Sequence, residues 1–393
     1  MTYDFILVGS GIAGLSLAHA LVTSPLAQRS ILIIEPQPKT RNDRTLGFWS
    51  DRPTPFDTLI YRSWDRLRVA TGETEQAHPC GRFRYHVIRG IDFYRYVDSE
   101  LARLPNVTRV QAAVDRIEDG PTGALVHAAG QTYAGRWVFD SRFHLAELAA
   151  DPAHKGALVQ RFVGWEIETP HDAFDPTTPI FMDFRVPQRG DVRFCYVLPY
   201  SARHALVEFV SHSPEPGAEL HLKQYIEKTL GIRAYQIIAK EGGASPLSAS
   251  AFPRRSSPHV MRIGTAGGRI KPSSGYGFTR MLADAEAIVA SLLRTGHPFD
   301  VPRGKPFFRF CDAQMLGLMR VRPAWIKPLF GALFRRSSLP VIFAFLDEAT
   351  TAGQNVALTL SLIPELAAQL LASVSHKPSQ QPAGRADKRA TWL

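Results

Sequence analysis

Apolar positions along this chain come in three rhythms: short unbroken runs, alternation, and helical stripes. Tyr3 to Val8 is an unbroken run, which predicts a buried parallel strand. Gly9-Ser10-Gly11-Ile12-Ala13-Gly14 follows, and Leu15, Ala18, His19 and Val22 continue at helical spacing. A second run, Ile31 to Ile34, ends in Glu35. Strand, glycine turn, helix, strand and acid together predict a dinucleotide-binding unit. Gly9 permits the tight turn, Gly11 admits a pyrophosphate to the backbone, and Gly14 lets the helix approach the sheet. Glu35 is placed to accept hydrogen bonds from a ribose.

Further along, residues 39–56 are polar and then aromatic, and predict a loop holding a buried Trp49. Residues 82–89 have a strand pattern. Residues 90–104 form a helical stripe through Phe93, Val97, Leu101 and Leu104. Residues 107–114 and 124–128 predict a small hairpin region, and residues 137–142 a strand returning to the nucleotide sheet. From 158 the rhythm changes. Residues 158–168, 178–184, 192–198 and 204–211 are strand-like runs between Pro and Gly turns. Val192, Phe194, Tyr196 and Leu198 alternate with Arg193, Cys195 and Val197, which predicts an antiparallel sheet with one face on a cavity.

Residues 260–264 predict another strand and 265–268 a glycine turn. Lys271-Pro272-Ser273-Ser274-Gly275-Tyr276-Gly277 then leads into a helix with Phe278, Met281, Leu282, Ala285, Ile288, Val289 and Leu292 on one face. Glycines and small residues before a helix again suit close approach to a cofactor. Residues 301–346 carry eight Lys or Arg and one acid, Asp312, among many Phe, Leu and Trp. That mixture suits an interfacial membrane surface. A buried helical pair with a solvated basic rim is the alternative. From 375 onward the composition predicts a disordered tail.

Composition narrows the picture. The net charge of +10 points to an anionic partner, nucleic acid or a membrane surface, and the absence of any nucleic-acid motif disfavours the first. Three widely separated cysteines give no disulfide framework or metal spacing, and predict a reducing compartment. The N-terminus enters a strand at once, which leaves no room for a signal peptide. No unbroken run of 18 apolar residues occurs, so no membrane span is expected.

Two acids stand out in the middle section. Asp183 lies beside Arg185, as in a structural ion pair. Glu208 lies in Ala205-Leu206-Val207-Glu208-Phe209-Val210, where burial would disfavour the charged form and leave a protonated acid; an edge-strand Glu facing water is the alternative.

With these residues assembled, the chain resembles the flavin-dependent lycopene cyclases, most nearly the bacterial β-cyclases, over roughly residues 3–365. The resemblance rests on the glycine motif with Glu35, on Phe181-Met182-Asp183-Phe184-Arg185, on Leu206-Val207-Glu208, on Lys271 to Gly277, and on Phe307-Phe308-Arg309-Phe310. It departs from many members at Phe209, where an acid often follows the glutamate, which leaves Glu208 as a single acid. It departs from many FAD enzymes at Thr265, where an Asp is common.

The resemblance implies an α/β fold. A Rossmann-type FAD-binding domain (1–145 and 256–300) would hold an inserted antiparallel-sheet substrate domain (146–255). A helical basic-aromatic membrane-facing region (301–374) and the tail (375–393) would follow. It implies FAD in reduced form, NAD(P)H as its reductant, and flavin contacts from Gly9, Gly11, Gly14, Glu35, Gly264, Gly267, Gly268, Pro272 and Gly275. It implies Glu208 as proton donor with Asp183 as second candidate. Lycopene and related acyclic carotenoids would be substrates, cyclised without net redox change to β-carotene by way of γ-carotene. No nucleic acid, metal or protein partner is implied. The expected place is cytoplasmic, peripheral to the inner face of the membrane. A flavin hydroxylase or prenyl reductase, consuming NAD(P)H, and a non-catalytic flavin or lipid binder are the competing classes.

Overall fold

The computed structural model describes residues 2–72 and 75–375, with side chains through 373; the predicted tail from 376 lies outside the described residues. Thr2–Val8 is the central strand of the first sheet. It pairs in parallel with Ile31–Glu35 on one side and Gln131–Asp140 on the other. Val107–Gln111 extends the sheet beyond Ile31–Glu35, and Val260–Arg262 extends it beyond Gln131–Asp140, both in parallel. Residues 107–111 are therefore a strand of the nucleotide sheet and not part of a hairpin. The antiparallel meander is instead Val114–Asp119, Ala124–Ala128 and the start of Gln131–Asp140.

Alternation along the central strand sets the layers. Phe5 and Leu7 face the helices Ile12–Val22, Gly90–Leu101 and Phe278–Thr295. Ile6 and Val8 face the meander through Val126, Ala128 and Val138. A Cβ on Gly14 would lie 2.0 Å from the Gly9 carbonyl oxygen, so the helix can leave the turn this steeply only with glycine there.

The second sheet has seven strands in the order Gln236–Leu247, Leu158–Glu168, His204–Ser211, Arg193–Pro199, Ile180–Asp183, Arg66–Ala70 and Glu75–Pro79. Its last two strands come from residues 66–79, so this sheet draws on chain from before residue 146. Phe194, Tyr196, Leu198, Leu206 and Val210 project from its inner face into the largest core. Cys195, Val197, Ala205, Val207 and Phe209 project from the outer face against Leu222, Tyr225 and Ile226. Both faces are covered, which explains why the runs are apolar at nearly every position.

Between the two sheets sits a three-stranded ribbon of Thr45–Ser50, Arg84–Arg89 and Arg62–Trp64. Residues 45–50 are thus a strand rather than the expected loop, while Trp49 is buried as expected. Its indole stacks on Phe343 at 4.5 Å and donates to Asp347.

Four helices follow: Pro306–Val321, Ile326–Arg336, Leu339–Leu346 and Ala352–Ser375. Most apolar side chains of 301–346 pack inward, including Phe308, Leu316, Met319, Ile326, Leu329 and Phe343. Phe307, Phe310 and Val321 are left exposed. The larger apolar exposure lies downstream, where Val356, Leu360, Ile363 and Leu370 run along the last helix at intervals of four, three and seven, with Leu371 exposed next to them. Among the described residues one helix, Ala352–Ser373, is long and apolar enough to cross a bilayer, with mean hydropathy 1.5. This corrects the expectation of no such segment: Thr359, Ser361, Glu365 and Gln369 interrupt the apolar run without much lowering its mean.

A buried charge cluster ties these helices to the turn that begins at Lys271. Lys271 is 1% exposed and its Nζ lies 3.0 Å from Asp312 and 3.3 Å from Glu348, which also meets Arg280. Removing one partner of a buried ion pair strands the other charge, at a cost of about 3 kcal/mol. Asp312→Asn is therefore expected to lower the midpoint of thermal unfolding, and adding Lys271→Met to recover most of the loss, as differential scanning calorimetry of the three proteins would show.

Candidate active site

One open-mouthed cavity of about 180 Å³ lies between the two sheets. Its nucleotide-fold wall is Ile12, the first residue of the glycine helix, with Ser274, Gly275, Tyr276, Gly277 and Phe278. Its other wall is the inner face of the second sheet, with Phe162, Tyr196, Leu198, Leu206 and Glu208. Thr45, Leu46, Gly47 and Tyr85 of the ribbon close the side.

Strand parity brings Glu208 here. It shares the inner face with Leu206 and Val210, directly across from Tyr196 on the neighbouring strand. Three phenol hydroxyls gather beside it, Tyr276 lying 3.2 Å from Tyr85 and 3.3 Å from Tyr196. Burial raises all three phenols well above their ordinary range, so they stay neutral donors and acceptors.

The Glu208 carboxyl is pushed well above the usual carboxylate range, first by desolvation and then by a second carboxylate, Glu241. Glu241 lies on Gln236–Leu247, two strands away, and was not among the expected site residues. Its strand holds Gly242, Gly243 and Pro246, which break any strand rhythm. The only local signal was an acid two residues past the apolar stretch Ile237 to Ala239, after Lys240. Glu241 is itself raised to about 7 by burial, less than it would be without hydrogen bonds from Thr45. The Thr45 amide donates at 3.1 Å and its hydroxyl at 2.9 Å.

Asp183 lies elsewhere. Four residues, Ile180 to Asp183, oppose only three, Val197 to Cys195, and this bulge turns Asp183 to the outer face opposite Cys195. There the carboxylate accepts from the Arg185 amide and guanidinium and, at 2.6 Å, from the Tyr225 hydroxyl. It does not line the cavity.

The residues expected to hold a dinucleotide sit around the other end. Gly11 caps the first helix with no side-chain bond to its free amides, and a Cβ added there would meet nothing within 4 Å. Gly277 caps the Phe278 helix in the same uncapped way. The Ser273 and Ser274 hydroxyls beside it are buried without a hydrogen-bond partner. Two open helix N-termini and the unpartnered Ser274 hydroxyl on one cavity, with the Ser273 hydroxyl next to it in sequence, suit a cofactor with phosphates and a polar ring. Glu35 closes the far side of the glycine turn, accepting from the Ser10 amide at 2.7 Å. Gly275 lines the cavity. Gly264, Gly267 and Gly268 form the turn behind it, with Gly264 against Ala13, and Pro272 lies outside the lining.

Comparison with known proteins agrees with this geometry. A family model described as "Lycopene cyclase protein" matches residues 4–372. A lycopene beta-cyclase of Pseudescherichia vulneris is 26% identical over 304 residues, covering 73% of this chain and 74% of that one. A chloroplastic lycopene beta cyclase of Solanum lycopersicum is 24% identical over 322 residues, covering 74% and 60%. Among solved structures, a geranylgeranyl bacteriochlorophyll reductase-like protein of Thermoplasma acidophilum superposes with TM-score 0.61 at 16% identity, over 94% of this chain and 99% of that one. HpxO of Klebsiella pneumoniae, complexed with FAD, gives TM-score 0.61 at 14% identity, over 88% and 98%. These structures share the flavoprotein fold, and the match along nearly the whole sequence places the chain in the lycopene cyclase family.

Proposed function

We propose that this protein is a lycopene β-cyclase that closes the acyclic ends of lycopene without net redox change. The observation that carries the reading is that Glu208 opens into the same cavity as the two uncapped helix N-termini. A hydrocarbon end group brings no charge and no hydrogen-bonding group, so the proton that starts ring closure comes from the protein. Glu208, held neutral by burial and by Glu241, carries it. Transfer to the terminal double bond leaves a tertiary cation and a Glu208 carboxylate. The neighbouring double bond attacks the cation and closes a six-membered ring. The carboxylate then takes a ring proton, leaving the β-ionone double bond and restoring the acid, so protons balance over the cycle.

Other residues of the chain shape the path. The rings of Tyr85, Tyr196, Tyr276 and Phe162 offer π faces to a passing cation, each worth about 0.5–2 kcal/mol. The apolar wall of Leu198, Leu206, Ile270 and Met281 accepts the chain and excludes water. FAD fits the glycine turn and the Ser273–Ser274 hydroxyls; in reduced form it would supply negative charge near the cation, with NAD(P)H serving only to reduce it. Asp183, saturated by Arg185 and Tyr225 on the outer face, holds the sheet together.

The substrate dissolves in membrane, and the exposed stripe of Val356, Leu360, Ile363 and Leu370 is the surface we assign to lipid contact. Arg335 and Arg336 end the helix that packs against it, with Arg336 bonded to the Ser361 carbonyl, and supply positive charge for anionic headgroups. This peripheral contact, on the cytoplasmic face, replaces 301–346 as the main docking element.

Three measurements test the reading. Glu208→Gln should bind FAD at the wild-type level yet lose cyclisation by at least about 100-fold when reduced enzyme is given lycopene anaerobically and products are resolved by chromatography. Near wild-type turnover would remove Glu208 as donor, and stoichiometric NAD(P)H oxidation would move the protein to the reductases. Gly11→Val fills the space where the pyrophosphate passes, and its purified form should lose most flavin absorbance while keeping the wild-type circular dichroism spectrum. Leu360→Asp with Ile363→Asp removes two side chains worth about 1.5–3 kcal/mol each on burial, so liposome co-sedimentation should weaken more than tenfold with flavin content unchanged.

A further inference from the structure

Glu208, Gly164 and Glu241 stand side by side on three adjacent strands: Gly164 is in register with Glu208 on one side and with Glu241 on the other. Neighbouring strands lie about 4.8 Å apart, so the two glutamates start roughly 10 Å apart at their backbones. Only the missing side chain between them lets the two carboxyls meet. A Cβ on Gly164 would sit 3.0 Å from Glu241 Cγ, 3.1 Å from Leu206 Cδ1 and 3.6 Å from Glu208 Oε2. Glu241 is anchored from its far side by the Thr45 amide and hydroxyl and by Asn42. It does not line the cavity.

We propose that Glu241 is a positioning residue for the reaction, holding the Glu208 carboxyl from behind across the gap at Gly164 through one shared proton. The inference rests on the cyclase reading for its catalytic meaning, and on the register of three strands for its geometry. The Glu208 hydroxyl donates to the Glu241 carboxylate, whose own acceptor sites face Thr45, so the pair carries a single proton. When Glu208 gives that proton to the substrate, two carboxylates stand together. Their repulsion makes Glu208 a strong base for the ring proton that must leave next, so the arrangement favours completion of the cycle.

The other titratable and charged groups around the pair are few. Tyr196, Tyr85 and Tyr276 face Glu208 from the adjacent strand, the ribbon and the cofactor turn. Glu166, paired with His204 at 2.7 Å, Tyr200 and Arg44 face Glu241. The phenols titrate far above neutrality, which leaves the two carboxyls to set the alkaline limb.

The test compares Glu241→Gln and Gly164→Ala with wild type. Glu241→Gln keeps the shape and the Thr45 contact while removing the like charge. Gly164→Ala changes no acid and separates the pair. In both, the alkaline limb of the cyclisation pH profile should move down by at least about one pH unit. A uniform loss at every pH, or an unmoved limb, would overturn the proposal. Infrared titration of the apoprotein gives an independent reading. A neutral carboxyl band present at pH 7 and absent in Glu208→Gln should titrate at lower pH in both variants, whether or not lycopene is the substrate. If that band behaves as stated and wild type leaves lycopene unchanged, the cyclase reading fails and the carboxyl pair stands; unshifted titration sinks the pair alone.

Discussion

A carboxyl group between two packed layers is the constraint around which this molecule is arranged. Leaving water costs a carboxylate several kcal/mol unless it is paired or neutralised. The protein answers that cost in two ways on one sheet. On the outer face Asp183 is surrounded by a guanidinium, an amide and a phenol, and its charge is compensated. On the inner face Glu208 has no ion-pair partner among the described residues; phenols, apolar side chains and a second acid surround it, and Arg44, on the same cavity, faces that second acid. The same residue class thus becomes a structural anion on one side and a proton carrier on the other, and only the face distinguishes them.

The nucleotide fold was legible because its parts are local. A glycine turn between an apolar run and a helical stripe is contained in residues 3–35, and the expected elements form there. Four of the seven strands of the second sheet, those between residues 158 and 211, were legible for the same reason, as was the cavity face that Tyr196 and Leu198 share. Asp183 was harder. Its face is decided by a bulge against Cys195, which no period-two pattern reveals.

What the residues did not disclose depends on pairing across long separations. Thr45–Ser50 is a strand because Arg84–Arg89 hydrogen-bonds to it, not because its own residues ask for it. Gln236–Leu247 contains two consecutive glycines and a proline, yet eleven-residue Leu158–Glu168 templates it along its length. Glu241 becomes a neighbour of Glu208 only through that templating. The apolar stripe of the last helix was hidden in another way: its polar interruptions face around the same cylinder, so an unbroken-run criterion misses what a three-four spacing shows.

The parallel pairing of Val260–Arg262 onto Gln131–Asp140 has a consequence for how the protein is made. Roughly 120 residues separate the two strands, and a ribosome adds about 5–20 residues per second. For on the order of 10 s the nascent nucleotide sheet therefore carries an open, apolar strand edge with no partner synthesised. Such an edge is a template for pairing with other chains. Newly made protein is most vulnerable to aggregation in that interval.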